Sequence, residues 1–153
     1  KYETLTGQER RDRLIQDANA EGELSLYTSM TADVAEAVTT AFTEQTGVKV
    51  TLYRAASETV LQRLLQEASA NHPGADVVET NDREMSAVAA EGLAAPYIGE
   101  RRDLVGEQGQ FDGWTATRYK LFAPSWNTTK VSAGEQPKSW EDLADPKWDG
   151  QLA

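Results

Sequence analysis

Apolar positions along the chain alternate between helical spacing, every third or fourth residue, and strand spacing, every second residue. Thr6-Gly7-Gln8-Glu9 has the spacing of a capping box, and Leu14, Ile15 and Ala18 give the following helix an apolar stripe that Gly22 closes. Glu23-Leu24-Ser25-Leu26-Tyr27 reads as a strand and leads into the polar turn Thr28-Ser29-Met30-Thr31. A second helix is predicted from about Ala32 to Thr46, with Val34, Val38, Ala41 and Phe42 on its core face and Gly47 at its end. Val48, Val50 and Leu52 alternate as a second strand. Ser57 is placed to cap a third helix whose inward face is Val60, Leu61, Leu64, Leu65 and Ala68. Pro73-Gly74 breaks the chain. Ala75-Asp76-Val77-Val78-Glu79 is a short third strand. Asn81 or Asp82 caps a fourth helix carrying Met85, Val88 and Ala89, stopped by Gly92.

Residues 23–92 therefore read β-α-β-α-β-α. Strands alternating with helices of this length predict an α/β fold, an open, mostly parallel sheet with helices on both faces. After Pro96 the rhythm fails. Residues 99–114 hold four glycines and many charges, which predicts an irregular surface stretch. Arg118 to Ser125 reads as another strand, with Tyr119, Leu121 and Ala123 on one face, and Ser139-Trp140-Glu141-Asp142-Leu143 as a short helix. The stop at Gly150-Gln151-Leu152-Ala153, without a capping element, is read as a truncation.

Composition narrows the chemistry. The chain has 153 residues, 25 acidic against 15 basic side chains and a net charge of -10, which argues against a nucleic-acid partner because phosphates need a basic face. No apolar run approaches the roughly 20 residues that span a bilayer. The start has no apolar signal-peptide core, so the chain is read as either cytosolic or mature and trimmed. Without cysteine there are no disulfides, thiolate metal sites or cysteine nucleophiles. A single histidine, His72, makes a Ser-His-Asp triad or a multi-histidine metal site a poor reading.

In open α/β sheets ligands bind beyond the carboxyl ends of the strands, where strand order reverses. Three loops converge there: Thr28-Ser29-Met30-Thr31, Arg54 through Ser57, Glu58 and Thr59, and Glu79-Thr80-Asn81-Asp82. Each opens a helix, whose free N–H groups and dipole favour an anionic oxygen. A plainer account stands beside this one. Thr31, Ser57 and Asn81 serve as helix caps without any ligand, Arg54 as a surface ion-pair partner, and Glu58 as a dipole-favoured acid in a first turn. Trp126 reads either as packing or as a cleft wall.

The order of segments resembles a known family. Gly22-Glu23-Leu24-Ser25-Leu26-Tyr27-Thr28-Ser29 is similar to the first strand and loop of the extracytoplasmic solute-binding proteins of ABC transporters, in the ferric-iron-binding branch of family 1. Ala41-Phe42-Thr43-Glu44-Gln45-Thr46-Gly47-Val48-Lys49-Val50 resembles that family's next passage, as do Arg63-Leu64-Leu65-Gln66-Glu67 and Ala75-Asp76-Val77-Val78. Further on, Trp126-Asn127-Thr128, Pro137-Lys138-Ser139-Trp140-Glu141-Asp142-Leu143 and Asp145-Pro146-Lys147-Trp148-Asp149-Gly150 resemble its hinge strand and the start of its second half. The likeness runs from Gly22 over nearly the whole chain.

The resemblance implies a periplasmic-binding-protein-like lobe, one of two that close over a solute about a hinge near Pro124-Ser125-Trp126-Asn127. It divides the chain into an N-terminal helical extension (1–22), a first α/β lobe (23–127) and the hinge exit with the opening of a second lobe (128–153). It implies a small-molecule or metal solute, ABC permease membrane subunits as partners, and an extracytoplasmic location, periplasmic or lipid-anchored. It implies no resident cofactor, ferric iron or an anion being the transported ligand, and an isolated lobe able to dimerise through its uncovered face. Two departures concern iron. Thr31 stands at about the position where such members often carry a loop histidine. Thr59, beside Glu58, stands where a glutamate often follows the second strand. The paired tyrosines of the ferric branch have no counterpart in this chain. The ligand residues expected from the loops and the resemblance together are Thr28, Ser29, Met30, Thr31, Arg54, Ser57, Glu58, Thr59, Thr80, Asn81, Trp126 and Asn127. Three other readings stay open, a small α/β hydrolase or transferase, a receiver-like signalling domain and a pure interaction domain. Against the first, Gly-x-Ser-x-Gly, P-loop and dinucleotide fingerprints are all missing. Against the second, Thr28-Ser29-Met30 and Glu79-Thr80 occupy the places where a receiver has its acidic cluster and closing aspartate.

Overall fold

A computed structural model describes residues 2, 4–97, 99 and 101–152. Lys1, Glu3, Ile98, Glu100 (within the expected irregular stretch) and Ala153 lie outside the described residues. The chain forms two units, Lys1–Thr117 and Arg118–Ala153. In the first, α1 (Gly7–Glu21), β1 (Glu23–Thr28), α2 (Ala32–Thr46), β2 (Lys49–Arg54), α3 (Ser57–Ser69), β3 (Val77–Glu79) and α4 (Asp82–Ala90) follow in the expected order. The strands form one parallel sheet in the order β2-β1-β3. Among the described residues no helix is long and apolar enough to cross a membrane.

The order 2-1-3 sends the chain one way from β1 to β2 and back across β1 to reach β3. Right-handed crossovers then place α2 and α3 on opposite faces. The register agrees. Leu26 stands beside Leu52 and Val77 on one face, while Tyr27, Tyr53 and Val78 line the other. Arg63 and Glu67 of α3 reach Tyr27, so α3 covers the tyrosine face. Val60 of α3 and Val88 of α4 are among the most buried side chains, as their helical spacing predicts. Gly47 ends α2 in the left-handed region at φ 76°. A Cβ there would stand 3.1 Å from Asn19 Oδ1, and the Asn19 amide donates to the Thr46 carbonyl at 2.7 Å, tying α1 to the end of α2.

Three expectations need correction. The core face of α2 is centred on Ala35, which is fully buried, while Val34, Val38 and Phe42 are 38%, 46% and 37% exposed. A three-stranded sheet gives the helix little width to cover, and small Ala35 lets it sit close, so the bulkier stripe stands to the side of the contact. The described residues of 99–114 are more ordered than an irregular stretch. They hold short 3-10 turns at Arg102–Leu104 and Glu107–Gly109, then a hairpin of β4 (Gln110–Phe111) and β5 (Trp114–Thr115). Asp112-Gly113 makes its two-residue turn, with Gly113 at φ 85°, and the Phe111 and Trp114 rings stack at 3.9 Å.

The third correction lies in the second unit. Arg118 to Ser125 is not a strand. Its alternation is real, but residues 119–126 join no ladder among the described residues, and without a partner alternation makes no strand. The expected helix at 139–143 is a 3-10 turn at Glu141–Ala144, followed by another at Pro146–Trp148. The Asp142 carboxylate accepts from the Lys138 and Ser139 N–H groups at 2.7 and 3.2 Å. Those bonds, led by the one from Lys138, hold its carboxyl below the usual aspartate range.

Candidate functional site

The carboxyl ends of the three strands stand abreast. In register, Thr28 of β1 lies between Arg54 of β2 and Glu79 of β3. Strand order reverses between β1 and β3, which makes the crevice above Thr28 and Glu79 the expected ligand position of an open α/β sheet.

Hydrogen bonds show that the three loops meet there. Thr28 Oγ1 donates to Glu79 Oε2 at 2.6 Å and accepts from the Met30 N–H at 3.0 Å. The Ser29 N–H donates to the Glu79 carbonyl at 3.0 Å, and the Ala55 N–H to the Thr28 carbonyl at 3.1 Å. Side chains bridge the loops as well. Thr80 Oγ1 lies 3.2 Å from Ser29 Oγ, and Asn81 Nδ2 donates to Ser57 Oγ at 2.8 Å. A polar seam thus runs from the first loop to the third and on to the second.

Capping does not account for these side chains. Thr31, Ala56 and Asn81 hold extended N-cap backbone angles at the starts of α2, α3 and α4, yet none makes a side-chain cap bond. Ser57 is not the cap of α3 at all; it is the first helical residue, because the chain enters the helix one residue earlier, at Ala56. The Thr31 hydroxyl turns to Asp33, and that bond, with one from the Val34 N–H, lowers the Asp33 carboxyl below its ordinary value. No N-cap side chain therefore accepts a first-turn N–H of these three helices, although in α2 the Asp33 carboxylate takes the Val34 N–H.

The expected residues separate by exposure. Thr31, Arg54, Glu58, Thr59 and Asn81 are exposed, and Ser29, Ser57 and Thr80 are half-buried. Thr28 is fully buried, and Met30 belongs to the apolar core, so both lie behind the wall rather than on it. Trp126 and Asn127 belong to the second unit, where Asn127 Oδ1 accepts from the Thr129 N–H and hydroxyl at 2.9 and 2.7 Å and so closes a local turn. Glu79 opens the third expected loop but is not among the expected ligand residues. Its place shows only in the register, which sets the acid that ends β3 directly beside Thr28.

Chemically the wall is rich in donors: hydroxyls, an amide, backbone N–H groups and the Arg54 guanidinium. Among the described residues no group of three or more His, Asp or Glu side chains is placed to hold a metal ion. Such a wall suits the oxygens of an anion or a chelate better than a bare cation. A hollow of about 690 Å³ lies elsewhere, between residues 4–5 and α1, lined by Glu9, Asp12, Arg13 and Gln16. It carries mixed charge, and Arg13 is held by Asp17 at 3.1 Å, so it lacks the convergence of the sheet edge.

Residues 37–153 match the family described as bacterial extracellular solute-binding protein. An uncharacterized protein of Haemophilus influenzae is 33% identical over 145 residues, spanning 88% of this chain and 41% of that one. The Fe(3+)-binding periplasmic protein of Serratia marcescens is 33% identical over 144 residues, spanning 90% and 41%. Iron-bound HitA from Pseudomonas aeruginosa has a similar backbone, with a TM-score of 0.68 at 26% identity over 83% of this chain and 42% of that one. The chain spans about two fifths of the length of the curated relatives it matches. By the match over residues 37–153, the chain belongs to the bacterial extracellular solute-binding protein family.

Proposed function

We propose that this chain is one wall of an extracytoplasmic solute-binding protein that captures ferric iron, as a chelate or with an accompanying anion, and delivers it to an ABC permease. The observation that carries the reading is the meeting of three helix starts along the Ser29–Thr80 and Ser57–Asn81 seam, on a backbone similar to that of iron-bound HitA. A donor-rich wall with no assembled metal ligands takes the anionic oxygens of the solute. The metal's own ligands then come from the chelator, and from an opposing lobe.

The activity is binding, with no bond made or broken. Two lobes closing about a hinge at Pro124-Ser125-Trp126-Asn127 bury the solute and create the surface that a permease recognises. Intrinsic tryptophan fluorescence, titrated with ferric citrate and corrected for absorbance, tests this. Saturable quenching that citrate alone does not reproduce supports a ferric-chelate binder. The same response to citrate alone moves the protein to an organic-anion solute, and no response to either overturns the reading.

A further inference from the structure

We infer that Glu79 is a positioning residue: its buried carboxylate, acting through the Thr28 hydroxyl, fixes the shape of the Ser29-Met30-Thr31 loop and so sets how the Ser29 hydroxyl meets the solute. The inference rests on the crevice being the solute wall.

The loop is attached to Glu79 by two routes. Through the side chain, Glu79 Oε2 accepts the Thr28 proton at 2.6 Å, which leaves the Thr28 oxygen lone pairs to accept the Met30 N–H at 3.0 Å. Through the main chain, the Glu79 carbonyl accepts the Ser29 N–H at 3.0 Å. Thr28 is fully buried and Glu79 is 8% exposed, so water competes little for these bonds.

Direction matters here. A hydroxyl holds one proton. With the carboxylate taking it, residue 28 can only accept from Met30, and that fixes the turn. Thr80 follows Glu79 directly, and its hydroxyl lies 3.2 Å from Ser29 Oγ. Glu79 therefore registers both halves of the pair, Ser29 through its bonds and Thr80 through the main chain. At their depth neither Thr28 nor Glu79 reaches the solute, so each acts through the loop.

The test uses the 153-residue chain with Thr28→Val, Thr28→Ser and Glu79→Gln. Two quantities are read: amide exchange at Met30 without solute, and affinity for ferric citrate. Thr28→Val should speed Met30 exchange and weaken ferric citrate each by about tenfold, while exchange at Leu24 and Leu26 stays slow. Thr28→Ser should restore both to within about twofold, and Glu79→Gln, whose amide oxygen still accepts, should fall between. Unchanged Met30 exchange in Thr28→Val overturns the inference, as does faster exchange with undiminished affinity. If Thr28→Val loses protection throughout β1, Glu79→Ala against Glu79→Gln decides, since the alanine should free Met30 well beyond the glutamine. If the unaltered chain fails to bind ferric citrate, the proposed function falls, while Met30 exchange still decides whether Glu79 shapes the loop.

Discussion

The Tyr27 hydroxyl donates to Glu67 Oε1 at 2.8 Å, joining the central strand to α3 across 40 residues of sequence. The same carboxylate oxygen takes Arg63 Nε at 2.7 Å, and Oε2 takes the Gly74 N–H at 3.1 Å. The Arg63 guanidinium lies 4.7 and 4.1 Å from the ring centres of Tyr27 and Tyr53. Glu67 thus holds helix, strand and the loop leading to β3 in one network, and that network carries the strand ends on which the crevice is built.

Glu67→Ala should therefore destabilise the fold. It strips the buried Tyr27 hydroxyl and the Gly74 N–H of their acceptor, a loss of about 1–3 kcal/mol. For a chain of this length the melting temperature should drop by several degrees. Urea denaturation checks it, and an unchanged midpoint would contradict the network.

The same carboxylate should leave an acid signature. Burial works against the Glu67 charge, but the Arg63, Tyr27 and Gly74 donors outweigh it and hold the carboxyl below its ordinary value. As pH falls from the ordinary glutamate value of about 4.3, the unfolded chain takes up the proton first. Stability is then fully present above about 4.3 and is lost as pH drops through the folded value. Urea midpoints between pH 3 and 6, as about that range, should fall less steeply for Glu67→Gln than for the unaltered chain.

The opposite sign applies at Tyr27. Burial, and then the bond to Glu67, raise its phenol above the ordinary value. Above about pH 10 the unfolded chain gives up its proton first, so stability declines as pH rises. Tyr27→Phe should lessen that alkaline decline, read from urea midpoints on either side of it.

Gly74 offers a coupling test. A Cβ there would lie 2.5 Å from Tyr27 Oη and 3.0 Å from Glu67 Oε2, so alanine must displace the bonded pair. Gly74→Ala should destabilise the unaltered chain and cost distinctly less in Glu67→Ala, where the bond is already gone. A double-mutant cycle measures this, and strict additivity would count against it.

Asn81 separates a capping role from a site role. Its amide donates to Ser57 and its side chain caps no N–H of α4. Asn81→Ala should cost less than the roughly 1 kcal/mol of a lost N-cap and still weaken ferric citrate binding. A full capping loss with unchanged affinity would return Asn81 to a structural part.

The β-α rhythm was legible because each helix and strand of residues 23–92 carries its own periodicity and its own stop. Gly22 and Gly47 mark ends that the backbone uses at φ 100° and 76°. What periodicity leaves open is which apolar residues find a partner. Val34, Val38 and Phe42 repeat as a core face does, yet Ala35 makes the contact. Tyr119 and Leu121 alternate as a strand does, yet join no ladder. The Asp112-Gly113 turn was the available signal for the small hairpin. The loops of the candidate site could be placed from topology alone. Glu79 could not, because its role depends on a register between residues 51 apart in sequence.

The central claim is that the solute meets the chain along the seam of the three loops. Titrating the isotopically labelled chain with gallium(III) citrate, a diamagnetic stand-in for ferric citrate, maps contact residue by residue in amide spectra. The account predicts saturable shifts clustered at Ser29, Thr31, Ala55, Ser57, Thr80 and Asn81, with residues of α1 unmoved. Shifts centred on Glu9, Asp12 and Arg13 beside α1, or none at all, would contradict it.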